Sequence, residues 1–185
     1  MSDDERLYFQ FIEGDIDALE KLVVTYRNHL VIFINSYVND LNDAEDLAED
    51  VFVQLIVKKP SFKRKSDFKT WLFSIARHLS LNFLKKRSKS ICCDVTELQS
   101  SSIENSPDEL FMMNEEKKYL HQKLRSIKIE YRQVIILSYF EEFSNSEIAF
   151  IMKKTKRQIE NLLYRAKISL KNELIKLEDD KLEEL

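Results

Sequence analysis

The sequence predicts an all-α protein of two small helical domains joined by a flexible linker. Three observations carry that expectation. The 185 residues include one glycine and two prolines, too few breakers for the turns of an all-β fold or for a Gly-rich phosphate loop. Apolar residues recur at spacings of three and four through two long blocks, the period of helices that bury one face. Between the blocks, residues 88–108 hold no sustained period and are rich in serine and acid, the composition of a linker.

The elements follow in order. A short helix is expected near Asp4–Ile12. After Gly14, Asp15 caps a long helix to Asn39, with Leu19, Leu22, Val23, Tyr26, Leu30, Phe33, Ile34 and Tyr37 on its inner stripe. Asn42 or Asp43 caps a second helix to about Val57. Its apolar positions are Ala44, Leu47, Ala48, Val51, Phe52, Leu55 and Ile56, and its outward side is acidic: Asp43, Glu45, Asp46, Glu49 and Asp50. Pro60 ends it, because proline disfavours helical geometry in the residue before it. Ser66 or Asp67 caps a third helix to about Arg87. There Phe68, Leu72, Ile75, Ala76, Leu79 and Phe83 form the buried stripe, flanked by Trp71, Ser74, His78, Asn82 and Lys85. Beyond the linker, helices are expected over about 108–126, 129–142, 144–152 and 155–177, with residues 178–185 fraying. The domains are thus 1–88 and 116–185.

Two capping boxes stand out in the second domain. Ser144-Asn145-Ser146-Glu147 and Thr155-Lys156-Arg157-Gln158 each pair a hydroxyl cap with a side chain that reaches back three residues later. Their spacing leaves room for one short helix, a tight turn and a second helix, a helix-turn-helix over about 144–166. Ile148, Ala149 and Ile151 supply the inner face of the first helix, and Ile159, Leu162, Leu163, Ala166 and Leu170 that of the second. The opposite side carries Arg157, Asn161, Tyr164 and Arg165, with Lys156 and Gln158 at its start. Arg, Lys, Asn and Gln bond base edges in the major groove. The alternative is an ordinary helical hairpin with a solvated basic face. Lys153 stands at the turn, where a left-handed conformation would favour glycine.

Charge is segregated along the chain. The net charge is −3, yet residues 1–57 carry 3 basic and 13 acidic side chains, and residues 58–89 carry 11 basic and 1 acidic. Residues 90–116 carry no basic and 7 acidic side chains, and 117–185 carry 15 basic and 11 acidic. Because charges separated by more than about 8 Å are screened at physiological salt, the local blocks matter more than the total. The basic block offers phosphates a strong field.

No apolar run approaches the roughly 20 residues of a membrane helix, and Leu30–Ile34 spans only five. The acidic start, Ser2-Asp3-Asp4-Glu5, is unlike a secretory signal. A cytoplasmic protein without membrane insertion is expected. Cys92 and Cys93 are adjacent and read as reduced thiols, and His29, His78 and His121 are scattered, so neither a disulfide framework nor a metal site is expected. No nucleophile–base pair or phosphate loop supports an enzyme, and no cofactor is called for.

Three segments resemble the extracytoplasmic-function (ECF) group of bacterial sigma factors. Asp43-Ala44-Glu45-Asp46-Leu47-Ala48-Glu49-Asp50-Val51-Phe52 resembles that family's acidic region 2 helix, "DAEDLVQEVF". Phe68-Lys69-Thr70-Trp71-Leu72-Phe73-Ser74-Ile75-Ala76-Arg77 resembles its "FxTWLYxIAR" segment. Tyr131–Leu137, Glu147-Ile148-Ala149 and Leu163-Tyr164-Arg165-Ala166-Lys167 resemble region 4. The resemblance implies a region-2-like helical bundle and a region-4-like helix-turn-helix domain riding on core RNA polymerase.

It further implies that Asp43, Asp46, Glu49 and Asp50 meet the clamp coiled coil of the largest polymerase subunit, with Leu47, Phe52 and Leu55 as apolar contacts there or as core, and that the second domain meets the flap. Lys63, Arg64, Lys65, Trp71, Arg77, His78, Lys85, Lys86 and Arg87 would contact the promoter's −10 element, where a base is flipped out. Trp71 is there either a wall for that base or a core residue. Lys156, Arg157, Gln158, Glu160, Asn161, Tyr164 and Arg165 would read the −35 element. His78, Glu160 and the run Arg157-Gln158-Ile159 depart from the family's usual residues, and Glu160 would suit a cytosine amino group. An anti-sigma partner is also implied. The rival reading is a stand-alone helix-turn-helix regulator that grips an operator without polymerase.

Overall fold

The chain's one glycine marks its first turn. Gly14 has φ +113°, a left-handed value that costs a Cβ-bearing residue strain, and its N–H caps the preceding helix by bonding to Gln10 and Phe11 carbonyls. That helix is α1, Asp3–Glu13, capped at its start by the Ser2 hydroxyl. The structure, a computed structural model, describes residues 2–93 and 124–183. Most of the expected linker, and the expected helix over 108–126 apart from its helical end at 124–126, lie outside them. Among the described residues all regular structure is helical.

In the first unit, Met1–Ser106, α2 is Ile16–Val38, with the Asp15 carboxylate accepting the Ala18 N–H and Asn39 left-handed at the far end. Both ends match the sequence reading. The next helix, α3, is Leu41–Lys58. Its cap is Asp40, which accepts the Asp43 N–H at 3.0 Å, and not Asn42 or Asp43. Capping one residue after Asn39 lets α3 fold back on α2 at once. The last of this unit, α4, is Phe68–Cys93. It starts directly after Asp67, whose carbonyl accepts the Trp71 N–H, and it runs six residues past the expected end at Arg87.

The first unit's core is aromatic. Tyr8, Phe33, Phe68 and Phe73 are among its largest fully buried side chains. Phe33 packs on Phe73 with ring centres 5.2 Å apart, and Tyr26 and Tyr8 pack on Phe68. Of the stripe expected for α4, Phe68, Leu72 and Ala76 are buried, whereas Ile75, Leu79 and Phe83 are half-buried.

The second unit, Pro107–Leu185, holds α5 Ile129–Ile135, a π-helical turn Ile136–Phe140, α6 Asn145–Met152 and α7 Lys156–Glu183. The π turn replaces the regular helix expected to 142. Its wider ring carries the Glu141 N–H to the Ile136 carbonyl, and Val134, Ile135, Ile136 and Leu137 are all buried. Four consecutive buried residues cannot share one stripe of a regular helix, so packing on several sides sets the geometry here. The backbone of α7 stays helical to Glu183, beyond the expected end at 177. Buried Arg132 stitches α5 to the preceding turn by donating to the carbonyls of Leu124 and Arg125.

The turn between α6 and α7 is strained as the sequence foretells. Lys153 sits at φ +52°, ψ +46°, a conformation that costs an L-residue about 1–2 kcal/mol. Lys153→Gly should therefore raise stability by about 0.5–1 kcal/mol, less than the full strain because glycine also loosens the unfolded chain. Denaturant melts of the full chain check this, and no gain in midpoint would contradict it.

Candidate nucleic-acid interface

The acidic helix turns its carboxylates outward and its larger apolar residues inward. Asp46, Glu49 and Asp50 are exposed, while Leu47, Phe52 and Leu55 are buried. Those three side chains build the core, the second of the two roles the sequence leaves open for them. The exposed apolar residues of α3 are instead Val53, Ile56 and Val57, at 50%, 46% and 74% exposure. Ile56 was assigned inward because three-and-four spacing fits two adjacent stripes of α3. Only the packing of α2 and α4 decides between them.

Some carboxylates have partners within the chain. Arg27 of α2 lies 3.7 Å from both Glu45 and Glu49. Asp43 is paired at 3.0 Å with Arg87 of α4. Two residues assigned to different partners thus meet each other, 44 positions apart in sequence. Burial, and the neighbouring Asp40 and Asp46 charges, raise the Asp43 pKa above its ordinary 3.8 despite the Arg87 guanidinium. A shallow groove of about 350 Å³ continues this junction between α3 and α4, lined by Leu47, Asp50, Leu79, Phe83, Lys85 and Lys86 among others.

The basic residues divide between a loop and a helix. Lys63, Arg64 and Lys65 are exposed on the loop 59–67 between α3 and α4. Lys85, Lys86 and Arg87 are exposed along the last turns of the described part of α4, and His78 is exposed with a ring nitrogen 2.9 Å from the Asn82 amide. Arg77 is half-buried, and its Nε is enclosed with no hydrogen-bond partner among the described residues. Trp71 is also half-buried. One side of it packs on Tyr8, Phe62 and Phe68 at centroid distances of 5.3–5.7 Å. Trp71 is thus both a core residue and a partly open aromatic surface, which merges the two alternatives of the sequence reading. Burial pushes the Tyr8 phenol up to about 12, so it keeps its proton and donates to the Pro60 carbonyl at 2.6 Å. Neither Tyr8 nor the rest of α1 entered the site from sequence, since nothing in local spacing brings residue 8 to residue 60.

In the second unit both capping boxes form. The Ser144 hydroxyl accepts the Glu147 N–H, and Glu147 accepts the Ser144 N–H. The Thr155 hydroxyl accepts the Gln158 N–H, and the Gln158 amide oxygen accepts the Thr155 N–H at 2.8 Å. Gln158 is therefore engaged in holding the start of α7, which takes its carbonyl end away from base reading. Ile159, Leu163 and Ala166 are buried. Lys156, Arg157, Glu160, Asn161, Tyr164 and Arg165 are exposed on the other side. A cationic, amide-bearing face on a helix has the chemistry of a major-groove reader.

Comparison with known proteins agrees with this arrangement. The Sigma-70 region 2 family model matches residues 22–90, and the Sigma-70 region 4 model matches residues 117–170. RNA polymerase sigma factor YlaC of Bacillus subtilis is 26% identical over 166 residues, covering 89% of this chain and 96% of that protein. The ECF RNA polymerase sigma-E factor of Escherichia coli is 24% identical over 180 residues, covering 92% and 94%. Among solved structures, the sigma factor RpoE of Bartonella quintana, in complex with the anti-sigma factor NepR, shares the fold with a TM-score of 0.67 and 24% identity, covering 84% of this chain and 95% of that one. With region 2 and region 4 matched in order on separate units, the chain belongs to the sigma-70 family of RNA polymerase sigma factors, in its extracytoplasmic-function group.

Proposed function

We infer that this chain is a promoter-selecting initiation factor with no chemistry of its own. It binds core RNA polymerase, which forms the phosphodiester bonds, and directs it to promoters through −10 and −35 elements. The observation that carries this reading is the ordered match of both sigma regions to two units that each bear an exposed cationic face. Residues 1–88 would bind polymerase and open the −10 element, and 116–185 would read the −35 element, with 89–115 as the tether. Joining the two heads makes the second contact effectively intramolecular, so neither needs high affinity alone. Such a factor works in the cytoplasm, where the polymerase is.

The polymerase-facing surface is best drawn as Asp46, Glu49 and Asp50, with Asp43 at its edge and Val53, Ile56 and Val57 beside them. Carboxylates supply attraction to a basic clamp, and the exposed aliphatics supply apolar area. The C-terminal unit would meet the polymerase flap. The −10 surface comprises Lys63, Arg64, Lys65, the open side of Trp71, Arg77, His78, Lys85, Lys86 and Arg87. An aromatic surface stacks a displaced base with about 1–3 kcal/mol, similar to the cost of unstacking it. On α7, Lys156, Arg157, Glu160, Asn161, Tyr164 and Arg165 would read the −35 duplex. Two solved relatives of the fold were captured with a second protein, one of them a named anti-sigma factor. An anti-sigma partner that covers the acid–aliphatic face of α3 would hold this chain inactive.

Transcription of fragmented host genomic DNA by core polymerase plus this chain, with the 5′ ends sequenced, tests the reading. Starts should share two upstream motifs. Tight operator binding by the chain alone, with no transcripts, would instead establish the stand-alone regulator. Asp46→Arg should weaken polymerase association at least tenfold and leave contacts with free DNA unchanged. Arg157→Ala and Asn161→Ala should each cost about 1–3 kcal/mol of discrimination at a −35 base, read by competition between promoter variants.

The acidic face also has a stability signature. Folded Asp43 holds its proton more tightly than the unfolded chain does, so stability falls as pH rises from its ordinary 3.8 through the raised value. Asp43→Asn removes that cost and keeps an oxygen for Arg87. It should be neutral to stabilising at pH 7, by less than about 1 kcal/mol, and the gain should vanish in melts near pH 3.

A further inference from the structure

The loop 59–67 is held in a conformation it would not adopt unaided. Lys59 and Arg64 both have positive φ, +39° and +51°, in a region that side chains with a Cβ disfavour. Lys59 is the left-handed cap of α3, its N–H bonded to the Leu55 carbonyl at 3.1 Å, and beyond it the loop makes no regular structure to residue 67 and leans on its neighbours. Much of that support comes from α1. Tyr8, only 1% exposed, donates its hydroxyl to the Pro60 carbonyl at 2.6 Å. Lys59 Nζ lies 5.5 Å from the centre of the Phe11 ring, and the Arg64 guanidinium lies 4.9 Å from that of Phe9, both within cation–π reach. Phe62, buried at the middle of the loop, packs on Phe9 as well as on Phe68 and Trp71.

Contacts along the loop at Lys59, Pro60, Phe62 and Arg64 therefore all land on one turn of one short helix, at Tyr8, Phe9 and Phe11. That helix precedes the segment matched by the region 2 model, which begins at residue 22. Its own packing also reaches the open aromatic: Tyr8 meets Trp71 edge-on at 5.3 Å. The loop's cations and the Trp71 surface are the groups that would engage a separated strand, and α1 fixes both.

We propose that α1 is a strut for the strand-opening loop, and that Tyr8 is a positioning residue for promoter melting, acting through Pro60 and Trp71 without touching DNA. The proposal rests on the sigma-factor reading. It separates two steps that a merely destabilised protein would lose together. A loop out of place slows the opening of duplex DNA, since opening requires the cations and the aromatic in register. It leaves polymerase binding intact, because the acidic face of α3 lies on a different helix, and it has little effect once the strands are already apart.

The test uses the full chain with core polymerase and a promoter recovered from the genomic transcription experiment. It compares fully duplex DNA with the same promoter carrying a mismatched bubble at the −10 element. Tyr8→Phe removes only the hydroxyl and keeps the buried ring, and Phe9→Leu removes the ring under Arg64 with little loss of apolar volume. Each should slow initiation on duplex DNA at least fivefold, change it less than twofold on the bubble, and leave polymerase affinity unchanged. Trp71 is the chain's only tryptophan, so its emission should shift to the red in Tyr8→Phe, with far-ultraviolet circular dichroism unaltered. Equal losses on both templates, lost polymerase affinity, or wild-type rates on duplex DNA would each overturn the proposal. If the wild-type chain initiates on neither template, the sigma-factor reading falls as well, and that outcome is distinct from the others.

Discussion

One buried ring joins the parts of the first unit. Phe68, with no exposed surface, opens α4 and is packed by Tyr8 of α1, Tyr26 of α2, Phe62 of the loop and Trp71 one turn on. Burying a phenylalanine contributes about 1.5–3 kcal/mol, and aromatic pairs add about 0.5–1.5 kcal/mol each beyond area. Those terms are comparable with a domain's net stability of about 5–15 kcal/mol. The cationic loop, the tryptophan surface and the first helix are therefore coupled through one centre rather than held separately. On the proposed reading, function and folding share that centre.

The acidic face is built on the opposite principle. Like charges are gathered along one side of α3, where burial and the neighbouring Asp40 and Asp46 raise the cost of ionising Asp43, and Arg27 and Arg87 answer Glu45, Glu49 and Asp43. A surface tuned for stability would intersperse the signs. Local disagreement of this kind is expected where a surface is kept for a partner. The exposed Val53, Ile56 and Val57 beside it point the same way, since an aliphatic cluster next to carboxylates gains nothing from water.

Much of the architecture was legible because it is written in short-range chemistry. Asp15, Ser144 and Thr155 announce their helices within four residues, and Gly14 and Pro60 mark turns that any chain must respect. The register of Ile159, Leu163 and Ala166 fixed the outward side of α7. What stayed hidden depends on contacts distant in sequence. Asp40, Asn42 and Asp43 are all good caps, and the docking of α3 on α2 selects among them. Leu47, Phe52 and Leu55 were legible as the apolar side of α3, but Ile56, grouped with them by spacing, lies exposed. The meeting of Asp43 with Arg87, and of Tyr8 with Pro60, leaves no mark on any local window. The π turn at Ile136–Phe140 arises from packing on several sides, which no single period describes.

The paired caps at Ser144 and Thr155 carry a last consequence. A helix tied at its first turn cannot fray to accommodate an ill-fitting groove. If Arg157 and Asn161 read bases as proposed, they begin from a fixed scaffold, and a wrong base would leave them bereft of a partner instead of shifting them to a substitute. On that reading, stiffness at two hydroxyls would become fidelity, with little ordering entropy left to lose on a duplex.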